Sequence, residues 1–274
     1  MTSTSVDRIA LPDDLILLDV HADGVAVLTL NDPATRNSLS DRMMHALLSA
    51  RQALDDLDAV RVVVVTGTGA DFSAGGNLDD MSQRSGVFAS EDPFKARDVN
   101  LRVVHKIPLA VHGIEVPTIA AVNGHAIGGG CDVALMCDIR LASQRAVFGE
   151  SFLRVGLLPG DGGAWFLPRV VGLSRAMEMV LTAEFIDAGR AAEIGLVSRV
   201  VEHERLLEEA LVLARRIARQ PPNAARMSKR LLRFGAEASL ADTLEMTANM
   251  QAQAQTSEEH RAAVARLAAA IKKR

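Results

Sequence analysis

The stretch from Pro117 to Asp138, PTIAAVNGHAIGGGCDVALMCD, constrains this chain more than any other. Thr118 to Val122 is a short apolar run behind a proline and before Asn123-Gly124, the pattern of a buried strand ending in a turn. Three consecutive glycines follow, Gly128, Gly129 and Gly130, and then Cys131 to Asp138, whose Val133, Ala134, Met136 and Cys137 suit a buried helix. A glycine inside a helix costs about 1 kcal/mol relative to alanine, so three together at a helix start require a cause. One cause is close packing of the helix on the strand, where any Cβ would clash. Another is that bare N–H groups at a helix N-terminus form a site for negative charge. Asp132 lies three residues after Gly129 and shares its face on a helix. A carboxylate beside such an N–H repels a phosphate. It makes sense where the carboxylate moves protons and the N–H holds a developing enolate oxygen.

Composition narrows the partners. A chain of 274 residues, 49% hydrophobic and 23% charged, can bury a substantial core as one large domain with an appendage or as two small ones. A formal charge of −4 gives no electrostatic reason to expect nucleic acid. With aromatics at 3% and no tyrosine, neither a base-stacking platform nor a membrane-interface belt is expected. Cys131 and Cys137 fit neither disulfide nor zinc-ligand spacing and read as buried reduced thiols, so no metal is expected. No leader pattern opens the chain and no apolar run is long enough to span a bilayer, which predicts a cytoplasmic protein without membrane contact.

Residues 1–12 read as a loose tail. Leu15 to Asp19 and Val25 to Leu30 are strand-like and joined through Asp23-Gly24, a hairpin-turn pair. Ser40 is the expected N-cap of a helix running to about Leu57. Arg61 to Thr66, RVVVVT, has the pattern of a strand buried on both faces. A second glycine-rich loop, Gly67 to Met81, is no dinucleotide fingerprint, because Gly67-x-Gly69-x-x-Phe72 lacks the third glycine. Neither loop carries the Gly-Lys-Ser/Thr ending of a P-loop, which removes the two commonest nucleotide explanations and counts against a Rossmann-type oxidoreductase.

Several spaced blocks together carry a resemblance. Phe72-Ser73-Ala74-Gly75-Gly76-Asn77-Leu78, Ala120 to Asp132, Cys137-Asp138-Ile139-Arg140, Phe148-Gly149-Glu150, Gly156 to Gly163, Leu167-Pro168-Arg169 and Ala191 to Val197 stand in the order found in crotonases. The chain resembles the crotonase (enoyl-CoA hydratase/isomerase) family over nearly its whole length. The resemblance implies an α/β fold, a spiral of ββα units over residues 1–201 holding an acyl-CoA site, followed by a helical C-terminal region, 202–274, that packs homotrimers, often paired into hexamers. Helical patterns near 203–219, 223–234, 239–255 and 257–272 agree with this, with Pro221-Pro222 as a breaker.

The family match also implies site residues. The oxyanion hole falls on the N–H groups of Gly76 and Gly129, and donors placed in advance for a thioester enolate are worth roughly 3–4 kcal/mol each. Asp132 matches the first of the hydratases' two catalytic glutamates. The second falls at Phe152, which cannot transfer a proton. Glu150 and Asp161 are the candidate replacements: in a strand Glu150 would share the face of Phe152, and Asp161 sits one place after an aspartate used by some family members. Their alternatives are a surface or capping role for Glu150 and a helix N-cap for Asp161. The loop Ala34 to Leu39, with Ala74, Asn77 and Leu78, is expected to contact substrate. Arg36 is the candidate partner of a coenzyme A phosphate, with Lys272 or Lys273 of a neighbouring subunit as further candidates. Asp79 to Ile114 is expected to include a mobile segment lining the acyl pocket, and Trp165 and Phe166 to belong to the core.

The expected function is stabilisation of a thioester enolate, foremost in hydration of a 2-enoyl-CoA to a 3-hydroxyacyl-CoA, with no cofactor beyond the coenzyme A of the substrate. Double-bond isomerisation, other enolate chemistry and an idle acyl-CoA-binding role are the alternatives left by Phe152.

Overall fold

The computed structural model describes residues 5–272. In chain order its strands and α-helices are β1 (Val6–Ile9), β2 (Ile16–His21), β3 (Val25–Leu30), α1 (Asp41–Asp55), β4 (Val62–Gly67), α2 (Leu78–Gln83), α3 (Pro93–Val99), α4 (Lys106–His112), β5 (Thr118–Val122), β6 (His125–Ile127), α5 (Gly129–Met136), β7 (Ile139–Ser143), β8 (Val147–Gly149), α6 (Gly163–Val171), α7 (Leu173–Thr182), β9 (Ile186–Asp187), α8 (Ala188–Glu193), β10 (Arg199–Val201), α9 (Leu206–Ala218), α10 (Pro222–Gly235), α11 (Leu240–Thr256) and α12 (Glu258–Ile271).

Seven strands form one sheet in the order β1-β2-β3-β4-β5-β7-β10, and β6, β8 and β9 form a second, smaller sheet. The pairing is parallel from β3 through β4, β5 and β7 to β10. Each internal repeat sends one strand to each sheet and then a helix: β5, β6 and α5, then β7, β8 and α6. This is the ββα spiral that the resemblance implies. The glycine-rich loop Gly67 to Met81 joins the small sheet through a parallel bridge between Ser73 and Ala126.

Continuous apolar runs make the central strands because the large sheet is covered on both sides. Val63, Val65, Ala120 and Val122 face one cluster with α1, α4 and α5. Val62, Val64, Ile119 and Ala121 face a second cluster completed by Leu206, Ala210, Ala214 and Ala218 of α9. Those four α9 residues recur every four positions, and three of them are alanines, so the helix lies close on the sheet. The expected boundary after Val201 thus precedes a helix that packs into the core.

The N-terminal expectation changes. Val6–Ile9 is not a loose tail but an edge strand paired antiparallel with β2, Asp7 opposite Val20. Its polar residues face solvent at an edge, so no hydrophobic alternation marks it. Ser40 does cap α1, accepting from the Met43 N–H at 3.3 Å.

Beyond α9 the chain carries no buried residue in α10, α11 or α12. Polar contacts tie α10 to the core. Lys229 Nζ donates to the carbonyls of Ile114 and Val116, both at 2.7 Å, and pairs with Asp138 at 2.7 Å. Arg233 also reaches Asp138 and the His112 carbonyl. No helix among the described residues is long and apolar enough to cross a membrane.

Candidate active site

Each glycine of the triplet has its own cause. Gly128 adopts φ +52° and ψ −123°, a conformation that penalises any side chain. A Cβ at Gly130 would run into the backbone of Ser73, which is the close-packing explanation. A Cβ at Gly129 would instead strike the Asp161 carboxylate and come within 2.8 Å of Leu39 Cδ1. Gly129 leaves room for a functional group, not for a neighbouring backbone.

The two glycine-rich loops meet at this point. Gly75, at φ +79°, lies so close that a Cβ there would be 3.1 Å from the Gly129 nitrogen. The Ala34–Leu39 loop is stitched to the same place: Ala74 N–H donates to Arg36 O, Leu39 N–H to Gly75 O, and Ser73 Oγ to Asn37 O, at 2.7–2.9 Å. Asn77 caps α2 through Oδ1 while its Nδ2 donates to Ser38 Oγ. Neither the Gly76 nor the Gly129 N–H donates to a protein acceptor among the described residues. Both open on a cavity of about 970 Å³, which Ala34, Arg36, Ala74, Asn77 and Leu78 also line.

Two of the three expected proton carriers do not reach that cavity. Asp161 lines it, and so does Phe152, but Asp132 and Glu150 do not. The argument placing Glu150 beside Phe152 required an extended segment. Ser151–Val155 is instead a short 3₁₀ turn with Glu150 as its N-cap residue, and the turn rotates the two side chains apart. Glu150 and Asp132 are both fully buried, behind Gly163, where a Cβ would lie 2.9 Å from Glu150 Oε2 and closer still to Asp132 Oδ1. None of their four carboxyl oxygens has hydrogen-bond geometry to any group, yet the pair and the Cys131 thiol are near enough to feel one another's charge. Burial, then Glu150, then Asp161 hold the Asp132 carboxyl well above the usual carboxylate range. Burial pushes Glu150 up to about 7. Such a buried pair retains a proton near neutral pH.

Asp161 behaves differently. Burial pushes it up to about 6, while the nearby His105 pulls it down. It is not the N-cap of α6, a position held by Gly162 without any side-chain hydrogen bond. Its position puts a titratable oxygen beside Gly129.

At the mouth of the cavity, Arg36 is committed to Asp71, with Nε to Oδ2 at 2.7 Å and Nη2 to Oδ1 at 3.1 Å. His125 Nδ1 holds the same carboxylate at 2.7 Å. Lys272 closes the last turn of α12, and Lys273 lies outside the described residues. Phe166 is buried in the core, whereas Trp165 stacks edge-on against it from a more exposed position. Cys131 and Cys137 are buried free thiols. No group of three or more metal-ligating side chains occurs among the described residues.

Sequence reasoning missed His105. It lines the cavity at the start of α4, after a π-helical turn over Asn100–Val104. A histidine in a segment already expected to line the acyl pocket was the available signal.

The sequence profile of the family described as enoyl-CoA hydratase/isomerase matches residues 21–270. The chain belongs to the enoyl-CoA hydratase/isomerase family. Among its relatives, the 2,3-dehydroadipyl-CoA hydratase of Escherichia coli is 38% identical over 216 residues, 79% of this chain and 81% of that one. The crotonyl-CoA hydratase of Syntrophomonas wolfei is 36% identical over 226 residues, 82% and 84% of the two chains. The crystal structure of an enoyl-CoA hydratase from Mycobacterium smegmatis superposes with a TM-score of 0.86 at 32% identity, covering 96% of this chain and 98% of that one. Family membership accounts for the ββα spiral and for the order of the glycine-rich loops within it.

Proposed function

We propose that this enoyl-CoA hydratase/isomerase family member hydrates a 2-enoyl-CoA to a 3-hydroxyacyl-CoA. The observation that carries the reading is the pair of unpartnered N–H groups, Gly76 and Gly129, opening on one cavity with the Asp161 carboxyl against Gly129. The thioester oxygen accepts from both N–H groups. Water adds at C3, the C2–C3 π electrons move toward C1, and the two donors stabilise the enolate oxygen. Asp161 then delivers its proton to C2. Asp132 and Glu150 act from behind, as a buried acidic pair that raises the proton affinity of its surroundings without touching substrate. The hydratase names of the relatives support hydration over the alternatives.

Arg36, at the mouth, is the candidate partner for a coenzyme A phosphate, in exchange for or alongside Asp71. A cytoplasmic homotrimer, or a hexamer built from two, is the expected assembly; the exposed Leu232, Leu240, Leu244, Val264 and Leu267 of the last three helices support self-association of some kind. One carboxylate facing the inner cavity also suits double-bond isomerisation, in which a single group carries a proton between carbons. Incubation with crotonyl-CoA separates the two. Loss of the conjugated thioester with 3-hydroxybutyryl-CoA as product, abolished in Asp161→Asn, is expected. A shifted double bond in a longer enoyl-CoA, with no hydroxy product, would replace hydration by isomerisation.

A further inference from the structure

Hydration moves two protons. Water loses one as its oxygen bonds C3, and C2 gains one. Asp161 can give the second, but Phe152 stands where the sequence pattern would place a second carboxylate, with its ring 3.8 Å from the Cβ position of Gly128. A second cavity group able to accept a proton would complete the reaction.

The cavity's other ionisable lining residues are Arg36, Asp79, His105, His125 and Arg154. Arg36 is bound to Asp71, and His125, whose Nδ1 holds the same carboxylate, stands with them at the mouth and not at the inner end beside Asp161. Arg154 donates Nε to Ala183 O at 2.9 Å and lies over the Phe185 ring, and a guanidinium does not release its proton in water. Asp79 is exposed in the first turn of α2, on the outer rim. His105 remains. It is half-buried, and its ring makes no hydrogen bond among the described residues. It lies near enough to Asp161 to act on its carboxyl, and Pro108 of α4 packs 3.3 Å from the Cβ position of Gly162, the residue next to Asp161. Behind it α4 is fixed by the buried Ile107 and Val111 and by Arg51 Nε donating to Ala110 O at 3.1 Å. The π-helical turn just before it inserts an extra residue, a device found often at functional sites because it re-aims the side chains beyond it.

We propose that His105 is the second proton carrier of this site, taking the proton from the water that adds at C3 while Asp161 gives its proton to C2. This rests on the hydration reading above. Neutral His105 accepts the water proton on its free ring nitrogen, the water oxygen bonds C3, the π pair moves to form the enolate, and the Asp161 O–H bond breaks as the C2–H bond forms. The site is left with an imidazolium and a carboxylate. Passage of one proton from His105 to Asp161 restores both, so the net change is one water added.

The test separates the two protons. Hydration of crotonyl-CoA needs both groups, whereas exchange of the C2 hydrogens of saturated butyryl-CoA with deuterium oxide needs only the oxyanion donors and Asp161. Asp161→Asn is expected to lose both activities by about 100-fold or more, and His105→Gln to lose hydration by about 100-fold while exchange falls no more than about threefold. Retained exchange also shows that His105→Gln folds and binds the thioester. Hydration by His105→Gln within about threefold of wild type, or equal loss of hydration and exchange, overturns the assignment. A wild type that exchanges C2 hydrogens but never hydrates overturns the hydration reading itself, and His105 as water base with it.

Discussion

Asp161 and the pair Asp132 and Glu150 are acidic groups within one small region, and the structure treats them in opposite ways. Asp161 sits against Gly129 with its oxygen in the cavity. The pair sits behind Gly163, sealed from solvent and without hydrogen bonds. Burial raises the proton affinity of all three, so the affinity alone does not say which one works on substrate. Access does. A perturbed carboxyl that faces the cavity can exchange protons with a ligand, and one that does not can only alter the field in which the first operates.

Breaking this contrast should give the largest effect. Asp161→Asn is expected to lower hydration by about 100-fold to 10,000-fold, whereas Asp132→Asn, isosteric and out of reach of substrate, should cost no more than about tenfold. The pH profile sharpens the same point. Asp161 must be protonated to give its proton to C2, and burial pushes its carboxyl up to about 6. On this limb kcat/KM for hydration should fall as pH rises past that value, while C2 exchange, which needs the carboxylate, should rise through it. Parallel limbs, or an Asp132→Asn loss as large as that of Asp161→Asn, would erase the distinction.

The two glycines proposed as oxyanion donors make a smaller contrast. An added methyl at Gly129 meets Asp161 and Leu39, but at Gly76 it meets only the Met81 methyl, at 2.5 Å, the far end of a flexible side chain. Gly129→Ala should displace Asp161 and lower kcat about 10-fold to 100-fold, and Gly76→Ala only a few-fold, because the N–H survives in both. Equal losses in steady-state kinetics would show that the space at Gly129 is not reserved for Asp161.

The placement of these groups explains how far the sequence could be read. The placement of Gly76, Gly129 and Asp161 around one cavity was anticipated from the resemblance, through the blocks Phe72 to Leu78, Ala120 to Asp132 and Gly156 to Gly163. Central strands were legible from runs such as Val62 to Val65, since burial on both faces leaves no other composition. Glu150 was not, because a period-of-two argument assumes extended backbone and the 3₁₀ turn at Ser151–Val155 breaks that assumption. His105 lay in Asp79 to Ile114, the segment expected to line the acyl pocket, but the π-helical turn shifts the register of α4 relative to α3, and no residue spacing singles that histidine out. Val6–Ile9 was missed because an edge strand with Asp7 and Arg8 outward has no apolar face to display.

The sealed pair should also show itself in stability. A carboxyl whose folded pKa lies above its unfolded value binds more protons when folded. For Glu150 that contribution is complete below its ordinary value of 4.5 and is lost as pH rises through about 7. Glu150→Gln keeps the shape and removes the titration. In urea unfolding, wild type should lose stability relative to this variant between about pH 5 and about pH 8. A constant difference across that range would mean that the pair does not hold its proton.

The smallest effect belongs to the mouth. Arg36 has a bidentate pair with Asp71, and its side chain is still 54% exposed, so it can meet a phosphate at the cavity entrance without being released from the core. Such a contact is made equally in ground state and transition state, which raises KM when removed and leaves kcat alone. Arg36→Ala should therefore raise KM for crotonyl-CoA a few-fold at low salt, less at high salt where exposed charges are screened. The same variant should handle crotonyl-pantetheine, which lacks the phosphates, as wild type does. A fall in kcat with either thioester would place Arg36 in the frame that holds the Ala34–Leu39 loop against Gly75, since Ala74 N–H bonds the Arg36 carbonyl there, and not in recognition of coenzyme A.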